Sequence, residues 1–165
     1  MRLKVEDIKR VHGNVDLDLG LESTGVLRSK IKDKIGTLEY HIVDSETPFT
    51  VEKYDDLEEI NTLAWTILDY IPCKMRKDLL PILEDVTNND REQMMEIITT
   101  RDYDVIEGVS NKKELGEAIV YNYPEYLDVS ESVRQFIDFE SVGEHFTRYA
   151  VPQWIIQGNY AFRIW

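Results

Sequence analysis

The sequence lacks most of the features that mark a catalytic or secreted chain. Its one cysteine, Cys73, cannot form an internal disulfide and reads as a half-buried packing residue. No apolar run approaches the roughly 18 residues of a membrane span, and the opening MRLKVEDIKR is too charged for a signal peptide. A soluble, cytoplasmic protein is expected, with no membrane partner. His12, His41 and His145 lie far apart, and none belongs to HExxH or another close ligand pair. There is no GxSxG elbow, and GNVDLDLG (13–20) lacks the lysine and hydroxyl of a phosphate loop, so it reads as a turn flanking a strand. DYDVIEG (102–108) approaches a calcium loop, but its glycine falls at position seven and no glutamate follows at twelve. No catalytic residue, cofactor or metal site is therefore expected, and the chain is not read as an enzyme.

Positive charge is also scarce. Against 32 acids stand 19 bases, a net −13, and residues 51–165 carry 23 acids and 11 bases of that total. Such a field repels nucleic acid and attracts basic surfaces, so direct nucleic-acid binding is not expected. Solubility alone is the other reading of the same charge. The 42% hydrophobic and 10% aromatic content is nonetheless enough for packed cores.

Periodicity gives an α+β chain without internal repeats. LEYHIVD (38–44) reads as a strand between Gly36 and Pro48, with a short helix over 28–35 before it. Between Tyr54 and Ile71, apolar residues at Leu57, Ile60, Leu63, Ala64, Ile67, Leu68 and Ile71 are spaced three and four apart, an amphipathic helix with acids in its first turn. Pro72 begins a second helix and a third starts near Asp90. A strand over 103–109, a helix over 112–121, two short helices across 130–147 and a hairpin turning at Gly158 and Asn159 complete the chain. Trp65, Trp154 and Trp165 sit among apolar neighbours and read as core or interface.

In FIDFESVGEHF (136–146), Val129, Val133, Phe136 and Ile137 make one apolar stripe and Phe139, Val142 and Phe146 another, out of phase with it. Asp138 fits as the N-cap between two short helices. Gly143 costs about 1 kcal/mol against alanine in a helix, so something packs closely there. Glu140 and Glu144 share a face, a spacing that suits either acid/base chemistry or a solvated surface.

Over about residues 30–165 the sequence resembles the ArdA antirestriction proteins of conjugative elements and phages. The matching residues are Pro48, Phe49, Tyr54, Ile60, Asn61 and Leu63, then Gly158, Tyr160 and Phe162. Phe136, Ile137, Asp138, Phe139, Glu140 and Gly143 are its most specific part, a family signature. The resemblance implies an elongated chain of three small subdomains: an N-terminal sheet with helix (1–53), a helical middle (54–100), and a C-terminal sheet with helices (101–165) that carries a dimer interface. Val151, Trp154, Ile155 and Ile156 are the expected interface residues of a homodimer. It further implies a DNA-mimic inhibitor of a type I restriction–modification enzyme, whose surface acids imitate phosphates. Carboxylates one helical turn apart are roughly 6 Å from each other, close enough to follow phosphates repeating about every 3.4 Å per strand. The expected mimic surface comprises Asp55, Asp56, Glu58, Glu59, Asp69, Glu84, Asp85, Asp90, Glu92, Glu96, Asp102, Asp104, Glu107, Glu114 and Glu117. Inhibition of another nucleic-acid-handling defence, such as a CRISPR nuclease, and an acidic protein–protein adaptor stand as alternatives.

Overall fold

Alternation of charge with Leu3 and Val5 makes the first strand, β1 (Arg2–Asp7), and the same pattern in Asn14–Asp18 makes β2, with Val15 and Leu17 inward. The computed structural model, which describes residues 1–8 and 14–165, pairs them antiparallel with Leu3 opposite Leu17 and Val5 opposite Val15. The segment expected as a turn is thus a strand over 14–18, because its two apolar residues occupy the inward positions of a period-2 pattern. His12 and Gly13 lie outside the described residues. β3 (Tyr40–Glu46) pairs antiparallel with the other edge of β1, giving the order β2-β1-β3.

Helix α1 (Thr24–Ile35) connects β2 to β3 and buries Leu27, Ile31 and Ile35. Ser23 caps its start, and Gly36, at φ 79°, closes its end with an N–H bond to Lys32 O at 2.8 Å. Helix α2 (Leu57–Tyr70) follows the expected spacing: Asp56 accepts from the backbone N–H groups of Glu58 and Glu59, at 2.8 and 3.1 Å, and Leu57, Ile60, Leu63, Ala64 and Ile67 are buried. Each fully buried Leu or Ile contributes about 1.5–3 kcal/mol. Asn61 shares that buried face. Its Oδ1 accepts from Gly20 N at 2.8 Å, and its Nδ2 donates to Glu22 O at 3.0 Å and Thr24 Oγ1 at 3.3 Å. Gly20 stands at φ +72°, and a Cβ there would lie 2.6 Å from the Leu68 side chain and 3.0 Å from Ala64 backbone. One polar side chain therefore ties α2 to the end of β2 at a point of close backbone approach. Helices α3 (Cys73–Val86) and α4 (Arg91–Thr100) complete the unit Met1–Thr99. Cys73 is exposed at the first position of α3, not half-buried, because the inward positions of that helix fall at Met75, Leu79, Ile82 and Leu83.

The second compact unit is Thr100–Trp165. The expected division at 53/54 therefore falls inside the first unit, while that at 100/101 lies one residue from the observed one. Its sheet has the order β4-β6-β5, from β4 (Tyr103–Glu107), β5 (Ile155–Gln157) and β6 (Tyr160–Ile164), all antiparallel, with the β5–β6 hairpin turning at Gly158 and Asn159. Central β6 is buried along its whole length. Helices α5 (Lys112–Asn122), α6 (Glu131–Arg134) and α7 (Phe139–Arg148) complete it. Ile106, Val109, Leu115, Ile119, Trp154 and Ala161 form its core cluster.

Gly143 has its partner in Gly116. A Cβ at Gly143 would lie 1.8 Å from Lys112 O, and one at Gly116 would lie 1.9 Å from Phe139 O. Each glycine lets the other helix's backbone in, so α5 and α7 touch main chain to main chain. Asp138 caps α7 by accepting from Glu140 N at 3.1 Å and Ser141 N at 3.2 Å. From Asp138 onward the aromatic and acidic segment 136–146 is thus a capped, glycine-notched helix that crosses α5. Its first apolar stripe is not buried: Phe136 is 80% and Val133 49% exposed, because α6 is a single turn with no buried residue.

Candidate functional site

Carboxylates gather where the chain leaves β3 for α2 and turns from α3 into α4. Asn88 and Asn89 adopt φ of 53° and 63°, conformations that asparagine tolerates, and they reverse the chain so that Arg91 reaches back toward α2. Its guanidinium pairs with Asp55, donates to Thr50 O at 3.3 Å and lies 3.4 Å from Glu59. Arg91 and Asp55 side chains are only 13% and 15% exposed. Burial alone would lower the arginine pKa; the hydrogen bonds and charges of Asp55 and Glu59 override it and raise it. Glu84 accepts from Thr50 N. The resulting cleft, of about 250 Å³, is lined by Glu52, Asp55, Glu59 and Glu84 beside Arg91, and a neighbouring concavity adds Asp90 and Glu92. Two carboxylates, Asp55 and Glu59, thus pair with one guanidinium, and Glu52, Glu84, Asp90 and Glu92 line the concavities beside it.

The fifteen acids expected as the mimic surface fall into two groups. Asp56, Glu58, Glu59, Asp69, Asp85, Asp90, Glu92, Glu96, Asp102, Glu107 and Glu117 are exposed. Within this group, Asp56 caps α2, Asp90 accepts from Gln93 N at 3.1 Å, Glu58 lies 3.4 Å from Arg28, and Asp102 accepts from Thr100 Oγ1 at 2.7 Å. Asp55, Glu84, Asp104 and Glu114 are instead tied into their own units. Asp104 accepts from Arg163 Nη2 and from the Tyr126 hydroxyl, both at 2.9 Å. Burial first, and this bond second, push the Tyr126 phenol up to about 12. Glu114 accepts from Ser110 N and Oγ, both at 2.8 Å, and these bonds hold its carboxyl below the usual range. Glu52 belongs to the cleft and was missed by the sequence reading; an acid just before an acidic helix start was the available signal.

Of the expected interface residues, Val151 is 95% exposed, and Ile155 and Ile156 are half-buried. Trp154 is corrected: it is 2% exposed and packs in the core of its own unit, edge-on to Tyr126, so it does not present a surface. The exposed large apolar residues of this unit are instead Tyr121, Val133, Phe136, Tyr149 and Val151, with Trp165. In the signature, Ile137 and Phe139 are half-buried, Glu140 is exposed and Gly143 is buried. Glu144 pairs with Arg148 at 2.6 Å and Lys112 at 3.7 Å, which makes it a structural anion beside the helix crossing. His41 is buried, 3.8 Å from Glu6, and His145 is exposed against Phe146 and Tyr149. Among the described residues, no group of three or more His, Cys, Asp or Glu side chains is placed to hold a metal ion.

No family model and no curated protein matches the chain.

Proposed function

We propose that the protein is an acidic, non-catalytic DNA mimic that occupies the DNA-binding groove of a nucleic-acid-handling defence enzyme, a type I restriction–modification enzyme in the first instance. The observation that carries this reading is the gathering of Glu52, Asp55, Glu59, Glu84, Asp90 and Glu92 along two adjoining concavities of the first unit that share one arginine, Arg91. Carboxylates accept the same bidentate arginine bonds as phosphodiesters and carry the same single charge. Asp85 and Glu96 extend the exposed acids along α3 and α4.

The second unit contributes differently. Its exposed apolar residues, Phe136, Tyr149 and Val151, favour a homodimer through this unit, which would place two acidic surfaces in one assembly. The test is cleavage of unmodified duplex DNA by a purified type I enzyme with the protein in excess at low salt. Cleavage is expected to stop, with recovery as competing duplex DNA is added; undiminished cleavage at saturating protein rejects the proposal.

A further inference from the structure

We infer that the groove between strand β4 and helix α5 binds a basic, extended peptide segment, which adds to the β4 edge as a further strand. The inference stands apart from the DNA-mimic proposal, since it concerns another surface and a backbone-mediated contact.

In the order β4-β6-β5, β4 has a strand neighbour on one side only. Its register fixes which backbone groups face outward. Trp165 N donates to Asp102 O at 3.0 Å and Gly108 N donates to Asn159 O at 2.9 Å, so residues 102, 104, 106 and 108 point their backbone groups at β6. Tyr103 and Val105 therefore direct their backbone N–H and C=O groups to the opposite side, at the spacing a new strand would use. A row of this kind is the usual template for strand addition.

The edge opens onto a concavity of about 660 Å³ whose lining includes Val105, Glu107, Glu117, Ala118, Tyr121 and Asn122. Ala118 and Tyr121 supply apolar contact from α5 for alternate side chains of an added strand. Glu107, Glu114 and Glu117 give the lining its charge, and no Lys or Arg is part of it. Glu114 is committed to Ser110, but it remains an anion. That sign selects the occupant. A second copy of this groove would bring another lining of the same sign toward Glu107, Glu114 and Glu117, and juxtaposed like charge disfavours it. A strand alternating basic and apolar residues places cations beside the glutamates and its apolar side chains on the α5 face.

The test uses the full chain and a capped peptide alternating valine and lysine, followed by backbone amide shifts and amide hydrogen exchange. Two versions of the peptide are N-methylated on alternate residues, one in each frame, and a fourth replaces every lysine with glutamate. Binding is expected to shift and protect the Val105 amide, with shifts across residues 117–122. Methylation in one frame should abolish it while the other frame retains it, because only one set of peptide nitrogens faces β4. The glutamate peptide should bind at least about tenfold more weakly, and Glu117→Lys should weaken the lysine peptide by about tenfold. Equal loss in both frames, shifts confined to another surface, equal binding of the glutamate peptide, or no shift at β4 at millimolar peptide would each overturn the inference.

Discussion

The two units carry acid excess in contrasting ways. In residues 1–99, 21 acids face 13 bases, and the residues around the α2 start and the α3–α4 turn leave most of their carboxylates outward, with Arg91 the base at the centre. In residues 100–165, 11 acids face 6 bases, yet several of these acids are spent locally: Asp104 on Arg163 and Tyr126, Glu114 on Ser110, Asp138 on the cap of α7, Glu144 on Lys112 and Arg148. Exposed apolar side chains occur in both units, among them Leu21 and Tyr54 in the first and Phe136 and Val151 in the second, so the acids and not the apolar residues distinguish them. Net charge alone does not locate an electrostatic surface; what matters is which acids have structural partners. Position within an element decides that. Acids at a helix start become caps, and acids on the outer face of a helix remain available.

The units also differ in how helices are fixed, and the sharpest break of this comparison is at the helix crossing of the second. Gly143→Ala should destabilise the protein by about 3 kcal/mol, because the new methyl meets the carbonyl of Lys112 and the backbone must move. Urea unfolding measures it, and a cost near zero would mean that the crossing is not rigid. The first unit relies on a polar tie in the equivalent role. Asn61→Ala should cost about 2 kcal/mol, since the buried Gly20 N–H and the Glu22 carbonyl lose their partner. Arg91→Met should cost about 1–2 kcal/mol and more at low salt than at high, because it leaves Asp55 and Glu59 facing each other without a cation. A salt-independent cost would show that packing of the arginine stem, not charge, is what was lost.

The smallest effect is a pH dependence confined to the second unit. Hydrogen bonds donated by Ser141, from its hydroxyl first and its backbone N–H second, hold the Asp138 carboxyl below its ordinary 3.8, and the Ser110 backbone N–H and hydroxyl hold Glu114 below 4.5. A lowered folded-state pKa contributes stability that is fully present above the unfolded value and disappears as pH falls through the folded one. The cap of α7 should therefore hold at neutral pH and weaken below about pH 4. Comparing Asp138→Asn with the unaltered protein in acid titrations followed by circular dichroism checks it: the variant should lose part of the acid-dependent step.

Much of this was legible in the sequence where one signal dominated. Leu57 to Ile67 repeat at helical spacing, and Asp138 sits where only a cap explains it, so α2 and the start of α7 were readable. A glycine inside a helix pointed to close packing at Gly143, but its partner Gly116 lies in another helix and no local signal joins them. β1 and β2 escaped because each has only two inward apolar residues among charges, too short a pattern to separate from a turn. Trp154 and Phe136 show the limit of apolarity as a guide. The tryptophan is enclosed by Tyr126, Phe146 and the sheet, whereas the phenylalanine stands in the turn after the single-turn α6 and is 80% exposed. The acid cleft was half readable: its members were visible as acids, but their convergence depends on the Asn88–Asn89 reversal and on Arg91.

The most direct measurement is competition between the protein and duplex DNA for a purified DNA-binding defence enzyme across a salt series. It compares Glu52→Gln, Glu59→Gln, Asp90→Asn and Glu92→Gln, singly and combined. Asp90→Asn keeps a capping oxygen at the start of α4, so the fold is retained. A surface recognised as distributed charge predicts that each single change weakens binding by about 1 kcal/mol or less, that the four together weaken it far more, and that the combined variant has a shallower dependence on salt. Binding indifferent to salt, or one carboxylate whose loss alone abolishes it, would contradict a distributed acidic surface.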